Sequence, residues 1–141
     1  MQSKSKFLEH AQRLLAEKGF SSTQVVSYEG CDQGETAIFA LDGLLFRMVR
    51  DRSEEFLDVG TTDRPNEFHQ VDDVALAFGW TTVEKVSQRT GPEPLNSVLD
   101  LLRGRFDLLK RELTGSAGEL TRARINKARD TRTAAFERKL R

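Results

Sequence analysis

The sequence predicts an α+β domain: an N-terminal helix, an antiparallel β-meander of about four strands, then two or more C-terminal helices. Two chain reversals within residues 36 to 60, TAIFALDGLLFRMVRDRSEEFLDVG, agree on one strand register. Apolar residues recur at helical spacing near the start of the chain, and again over residues 95 to 113.

The meander follows from its turns. Asp42-Gly43 is a two-residue hairpin signal, because both positions of a type I′ turn need positive φ, which Asp and Gly tolerate best. That turn sets Phe39 opposite Phe46 and Ala37 opposite Met48. A second reversal at Asp51 to Glu54 pairs Phe46 with Val59, Met48 with Leu57, Arg47 with Asp58 and Arg50 with Glu55. Apolar residues meet apolar ones and cations meet carboxylates. A slip of one residue would turn every side chain to the wrong face, so agreement across two turns fixes the pairing.

The first helix runs from Ser5 to Lys18, with Phe7, Leu8, Ala11, Leu14 and Leu15 on one face and Gly19 as its stop. Phe20 to Tyr28 alternates as a first strand, and Gly30 to Gly34 forms a polar loop into the meander. After Val59 the segment GTTDRPNEF reads as turns. Asp72 and Asp73 then complement the positive end of a short helix that runs through Phe78 and stops at Gly79. Thr81 to Arg89 stays open, since its valines fit a helical turn while its threonines favour a strand. Gly91-Pro92 and Glu93-Pro94 break the chain before one continuous helix whose stripe is Leu95, Val98, Leu99, Leu102, Phe106, Leu109 and Leu113, widened by Leu101 and Leu108. So broad a stripe requires burial against the sheet, a neighbouring helix or a second chain. Residues 1–113 are thus expected to form the domain, with 114–141 as a basic, helical tail that adds few core contacts.

Composition narrows the function classes. At 141 residues, with 38% hydrophobic and 31% charged residues, the chain suits one domain with a real core. No apolar run approaches the roughly 18 residues of a membrane span, and the first residues lack the features of a signal peptide, so a cytoplasmic protein is expected. A single cysteine, Cys31, excludes an internal disulfide. The net charge of zero hides an asymmetry: residues 1 to 120 hold 14 basic and 20 acidic side chains, while 121 to 141 hold 8 basic and 2 acidic. An acidic body favours a basic partner.

Candidate chemistry is sparse. His10 and His69 have no Cys or His at metal-ligand spacing, so no metal site is expected. Cys31 sits beside Asp32, without the base or cationic surroundings that would activate a thiol. Gly30, Gly34 and Gly43 match no phosphate-binding loop, so no cofactor is expected. Among the carboxylates Glu54, Glu55 and Asp58, the last two already have cross-strand cations in the inferred register. The expectation is therefore a protein that is not an enzyme. In the tail, Arg122, Arg124, Lys127, Arg129 and Arg132 could each neutralise a phosphate, which keeps a regulatory role on nucleic acid as a minor alternative to a solvated helix.

Residues 45 to 60, LFRMVRDRSEEFLDVG, followed by a turn-rich stretch and a short helix over Val71 to Phe78, resemble a segment of bacterial immunity proteins from polymorphic toxin systems. The resemblance covers about residues 45–90 and carries over no specific binding residue. It implies a small cytoplasmic α+β protein that binds and neutralises a cognate toxin without catalysis. A basic toxin domain would suit the acidic body. On exposure and charge alone, the candidate partner-binding residues are Glu54, Glu55 and Asp63 near the ends of the meander and Asp72 and Asp73 at the helix start. The alternative is a secretion-chaperone-like dimer that holds a client protein, with the Leu95 to Leu113 stripe as the homodimer interface.

Overall fold

The computed structural model describes residues 6–20, 23–31, 33–89 and 94–139. A helix, α1 (Lys6–Glu17), leads into five strands: β1 (Gln24–Cys31), β2 (Gly34–Leu41), β3 (Leu44–Asp51), β4 (Glu54–Thr61) and β5 (Arg64–Gln70). They form one antiparallel sheet in the order β1-β2-β3-β4-β5. Five helices follow: α2 (Val71–Ala77), α3 (Val83–Gln88), α4 (Leu95–Arg103), α5 (Phe106–Thr114) and α6 (Gly118–Lys139). The α+β class and the order of its elements agree with the expectation from sequence.

The register of the meander is the expected one. Phe39 lies opposite Phe46 and Ala37 opposite Met48, while Phe46 faces Val59, Met48 faces Leu57 and Arg47 faces Asp58. Asp42 (φ 51°) and Gly43 (φ 87°) take the two left-handed positions of the β2–β3 turn. The β3–β4 turn, Arg52-Ser53, puts Arg52 at φ 60°. Phe46 is fully buried, with its ring 5.7 Å from Phe20 and 6.4 Å from Phe106. One face of the sheet, carrying Ala37, Phe39, Phe46, Met48, Leu57 and Val59, thus joins Phe7, Leu15, Leu99, Leu102 and Leu109 of the helices in one core.

Four expectations are corrected. First, GTTDRPNEF is not all turn. Most of it forms β5, an edge strand, where Pro65 is tolerated because it lies in the irregular stretch between the paired residues Arg64 and Phe68. Its shift in register at Gly60/Thr61 needs glycine, since a Cβ at Gly60 would stand 2.6 Å from the Glu67 carbonyl oxygen. Second, the first strand starts at Gln24 rather than Phe20, and its alternation is interrupted between Val25 and Ser27. Third, the long C-terminal stripe belongs to two helices. α4 ends at Gly104, and α5 restarts after Arg105, whose φ of −127° and ψ of 11° leave the helical region. Both halves are buried inside this chain, through Leu95, Val98, Leu99 and Leu102 of α4 and Leu109 and Leu113 of α5.

The fourth correction concerns residues 114–141. α6 packs on α2, α3 and α5, and it buries Ile125 to 1% exposure and Thr121 to 2%. Arg132 of α6 grips Asp73 of α2, with its Nε 2.6 Å from Oδ1. The basic helix is therefore part of the packed body. In the stretch left open by sequence, Thr82 caps α3, its hydroxyl oxygen accepting from the Lys85 amide at 3.3 Å. The Cys31 side chain, Asp32 and the breaker 91–93 lie outside the described residues.

Candidate functional site: the open face of the sheet

Among the described residues, the helices pack into one core with the other face of the sheet, and this opposite face contributes none of the residues of that core. Reading across the strands, Ala40, Leu45, Gly60 and Phe68 form one row, and Ile38, Arg47, Asp58 and Gln70 the next. Then come Glu29, Thr36, Val49 and Phe56, and last Gly34, Asp51 and Glu54. Leu45 and Gly60 are buried, Ile38, Val49 and Phe68 are half-buried, and Phe56 is 37% exposed. Strand alternation puts these side chains there, because every second residue of a strand that buries Phe39, Phe46 or Leu57 must point the other way.

At the centre of this face stands a charge pair. Arg47 donates to Asp58 Oδ2 from Nε (2.9 Å) and from Nη2 (2.7 Å), and its guanidinium carbon lies 4.2 Å from the centroid of the Phe68 ring. Asp58 is only 6% exposed. Burial pushes its carboxyl above the usual range, and the Arg47 guanidinium partly offsets that. The ion pair thus holds the Arg47 guanidinium between Phe68 on one side and the row of Val49 and Phe56 on the other.

One end of the open face is acidic. Glu29, Asp51 and Glu54 are all exposed, and none has an ion pair among the described residues. Asp51 and Glu54 lie directly opposite one another across the β3–β4 turn. Apolar rows bounded by unpaired carboxylates suit a partner with apolar contacts in the middle and cations at the rim.

The five carboxylates singled out from sequence do not form a single surface. Glu54 belongs to the acidic rim. Glu55, one residue on, points to the covered face, where its carboxylate is 3.8 Å from His10 Nε2. Arg50 sits opposite Glu55 but turns to Glu35 instead, at 2.7 Å, while the Tyr28 hydroxyl donates to the other oxygen of Glu35. Asp63 is exposed in the β4–β5 turn, at the far end of β4 from Glu54, and a hydrogen bond with the Thr61 hydroxyl holds its carboxyl below the usual range. Asp72 is paired with Arg89 at 2.6 Å. Asp73 is corrected outright: it is 2% exposed and held by Arg132, so it is not a surface carboxylate. Glu29 and Asp51 were overlooked as candidates, although the register alone sets Asp51 beside Glu54 on the face of Val49 and Phe56.

His69 lies on β5 opposite Val59, and burial lowers its basicity. Among the described residues no group of three or more His, Cys, Asp or Glu could hold a metal ion, and no helix is long and apolar enough to cross a membrane. Of the five tail cations, Arg132 is spent on Asp73, Arg124 donates to the Ala77 carbonyl oxygen at 2.7 Å, and Arg129 lies 3.3 Å from Asp130. Compared with protein-family models, with curated proteins and with solved structures, the chain finds no match.

Proposed function

We propose that this protein is a non-catalytic protein-binding module that caps a basic protein domain stoichiometrically, and that it serves as an immunity protein neutralising a cognate toxin. The observation that carries this reading is the open sheet face, with its half-buried apolar rows and its rim of Glu29, Asp51 and Glu54 free of ion pairs among the described residues. Such a surface excludes water through its middle and steers a cationic partner from its edge. The acidic excess of residues 1 to 120 and the immunity-like segment at about residues 45–90 lend support.

The chaperone-like alternative loses its main support, since the Leu95 to Leu113 stripe it needs as a dimer interface is buried within the chain. A nucleic-acid role for α6 is weakened in the same way, because several of its cations already have partners in the body. Co-expression with a secreted toxin encoded beside its gene tests the proposal. Cells should survive when this protein is present, and the two chains should co-purify in equal amounts. Continued killing despite abundant, folded protein would end the immunity reading.

A further inference from the structure

A second surface, built by helices and sharing no residue with the acidic rim, has the opposite character. Between α6 and the segment that joins α2 to α3 runs a groove of about 410 Å³, within the roughly 300–1,000 Å³ common for small-ligand sites. α6 contributes Arg124, Lys127, Ala128 and Thr131, a stripe at the i, i+3, i+4, i+7 spacing of one helix face. The groove is amphipathic in cross-section. Leu76, Ala77, Val83 and Ala128 are its half-buried apolar members, whereas Arg124, Lys127 and Thr131 are exposed.

Its charge is one-sided, for no carboxylate among the described residues lines it. Lys127 has no ion pair among the described residues. Arg124 gives one nitrogen to the Ala77 carbonyl oxygen, which anchors the guanidinium at the groove and leaves further N–H donors. The nearby acids are engaged elsewhere or outside the lining: Asp73 holds Arg132, and Glu84 is exposed on α3.

Adjacent aromatic rings help to define the ligand. Phe78 and Trp80 stack at 5.2 Å, with Arg124 5.4 Å from the Phe78 centroid and Arg105 5.2 Å from that of Trp80. Guanidiniums occupy both ends of this ladder, so it presents no bare ring face on which a nucleobase could stack. Recognition in the groove therefore falls to charge and apolar contact.

We propose that this groove binds an amphipathic anion, with a single carboxylate or phosphate head between Arg124 and Lys127 and a short apolar body against Leu76, Val83 and Ala128. This assignment is independent of the proposed neutralising role. The test is a titration of the full-length chain, followed by amide chemical shifts, with hexanoate, hexyl phosphate, hexylammonium and inorganic phosphate as probes. Saturable shifts at residues 76–83 and 124–131 are expected with hexanoate or hexyl phosphate, and the tighter of the two identifies the head group. Hexylammonium should leave these residues unmoved, and inorganic phosphate should bind more weakly than its hexyl ester. Lys127→Glu, at an exposed position, should weaken the tighter probe roughly tenfold or more. Ala128→Phe, which keeps both cations but fills the groove, should abolish binding. Equal shifts with hexylammonium, unchanged affinity in Lys127→Glu, or no saturable shift with either anion would overturn the assignment.

Discussion

The two faces of the sheet are built from the same strands and have opposite fates. On the covered face, Phe39, Phe46, Met48 and Val59 are all at 0% exposure beneath α1, α4 and α5. On the open face, the residues between them in sequence include Ile38, Arg47, Val49 and Asp58, a mixture of half-buried apolar groups and one charge pair. A five-stranded antiparallel sheet can be stable with a single covered face, so the composition of its other face is not dictated by folding. What the open face carries beyond solubility is thus the place to look for function. Arg47 and Asp58 also show how such a face stays ordered: two guanidinium donors on one carboxylate oxygen, beside an aromatic ring, hold it without another layer of helix.

The cover extends further than the sheet's own helices, because α6 holds α2 in place through Ile125 and the Arg132–Asp73 pair. Truncation after Thr114 should have the largest effect of all. It exposes the apolar side of α2, removes Ile125 from the core and takes away the Arg132 partner of Asp73. Cooperative thermal unfolding should be lost. A truncated chain that melts as sharply as the full one would show that α6 is an accessory to the body.

A matched pair of substitutions measures the faces against each other. Phe46→Ala on the covered face should cost about 3–5 kcal/mol, whereas Phe56→Ala on the open face should cost roughly 1 kcal/mol or less, read by denaturant unfolding. Equal costs would mean that the open face is as tightly packed as the core.

A smaller effect separates the faces by pH. His69, on the side of the sheet that meets α2 and α6, has its pKa lowered by burial, so the folded protein binds a proton less readily than the unfolded chain. Its contribution to stability is present above the ordinary histidine value of 6.5 and is lost as the pH falls through the depressed folded value. Stability should therefore decline on acidification below about 6.5, and His69→Gln should remove that part of the decline. An identical pH profile in the variant would place the titrating group elsewhere.

How much of this was legible in the sequence varied with the range of the interaction. The meander could be read because hairpin turns are local and Asp42-Gly43 admits few alternatives, after which alternation fixes every side chain. Helix α1 was legible from its five buried residues at regular spacing, which the structure retains. β5 was obscured because Pro65 and the polar residues around it are turn formers in isolation, and only an edge position beside Gly60 makes them a strand. The break at Gly104 was masked by an apolar stripe that continues in phase across two helices.

The misjudged role of α6 has a different cause. A helix with almost no amphipathic pattern docks through Ile125 and through Arg132, whose partner Asp73 lies 59 residues away. No local signal marks such a pairing. The same long range hid Asp73 from a reading based on exposure. Asp51, by contrast, was within reach, since the register already placed it across from Glu54 on the open face.

The proposed binding of a basic partner to the open face depends on the acidic rim of Glu29, Asp51 and Glu54. The measurement is the association of the proposed basic partner domain with the triple variant Glu29→Lys, Asp51→Lys and Glu54→Lys, alongside the melting temperature of the variant. All three residues are exposed, so melting should shift by no more than a few degrees. The association rate of the native protein should fall as salt rises past about 0.1 M, where the screening length is about 10 Å, and the variant should bind at least about tenfold more weakly with little salt dependence left. A folded triple variant that binds the partner as fast and as tightly as the native chain would contradict the account.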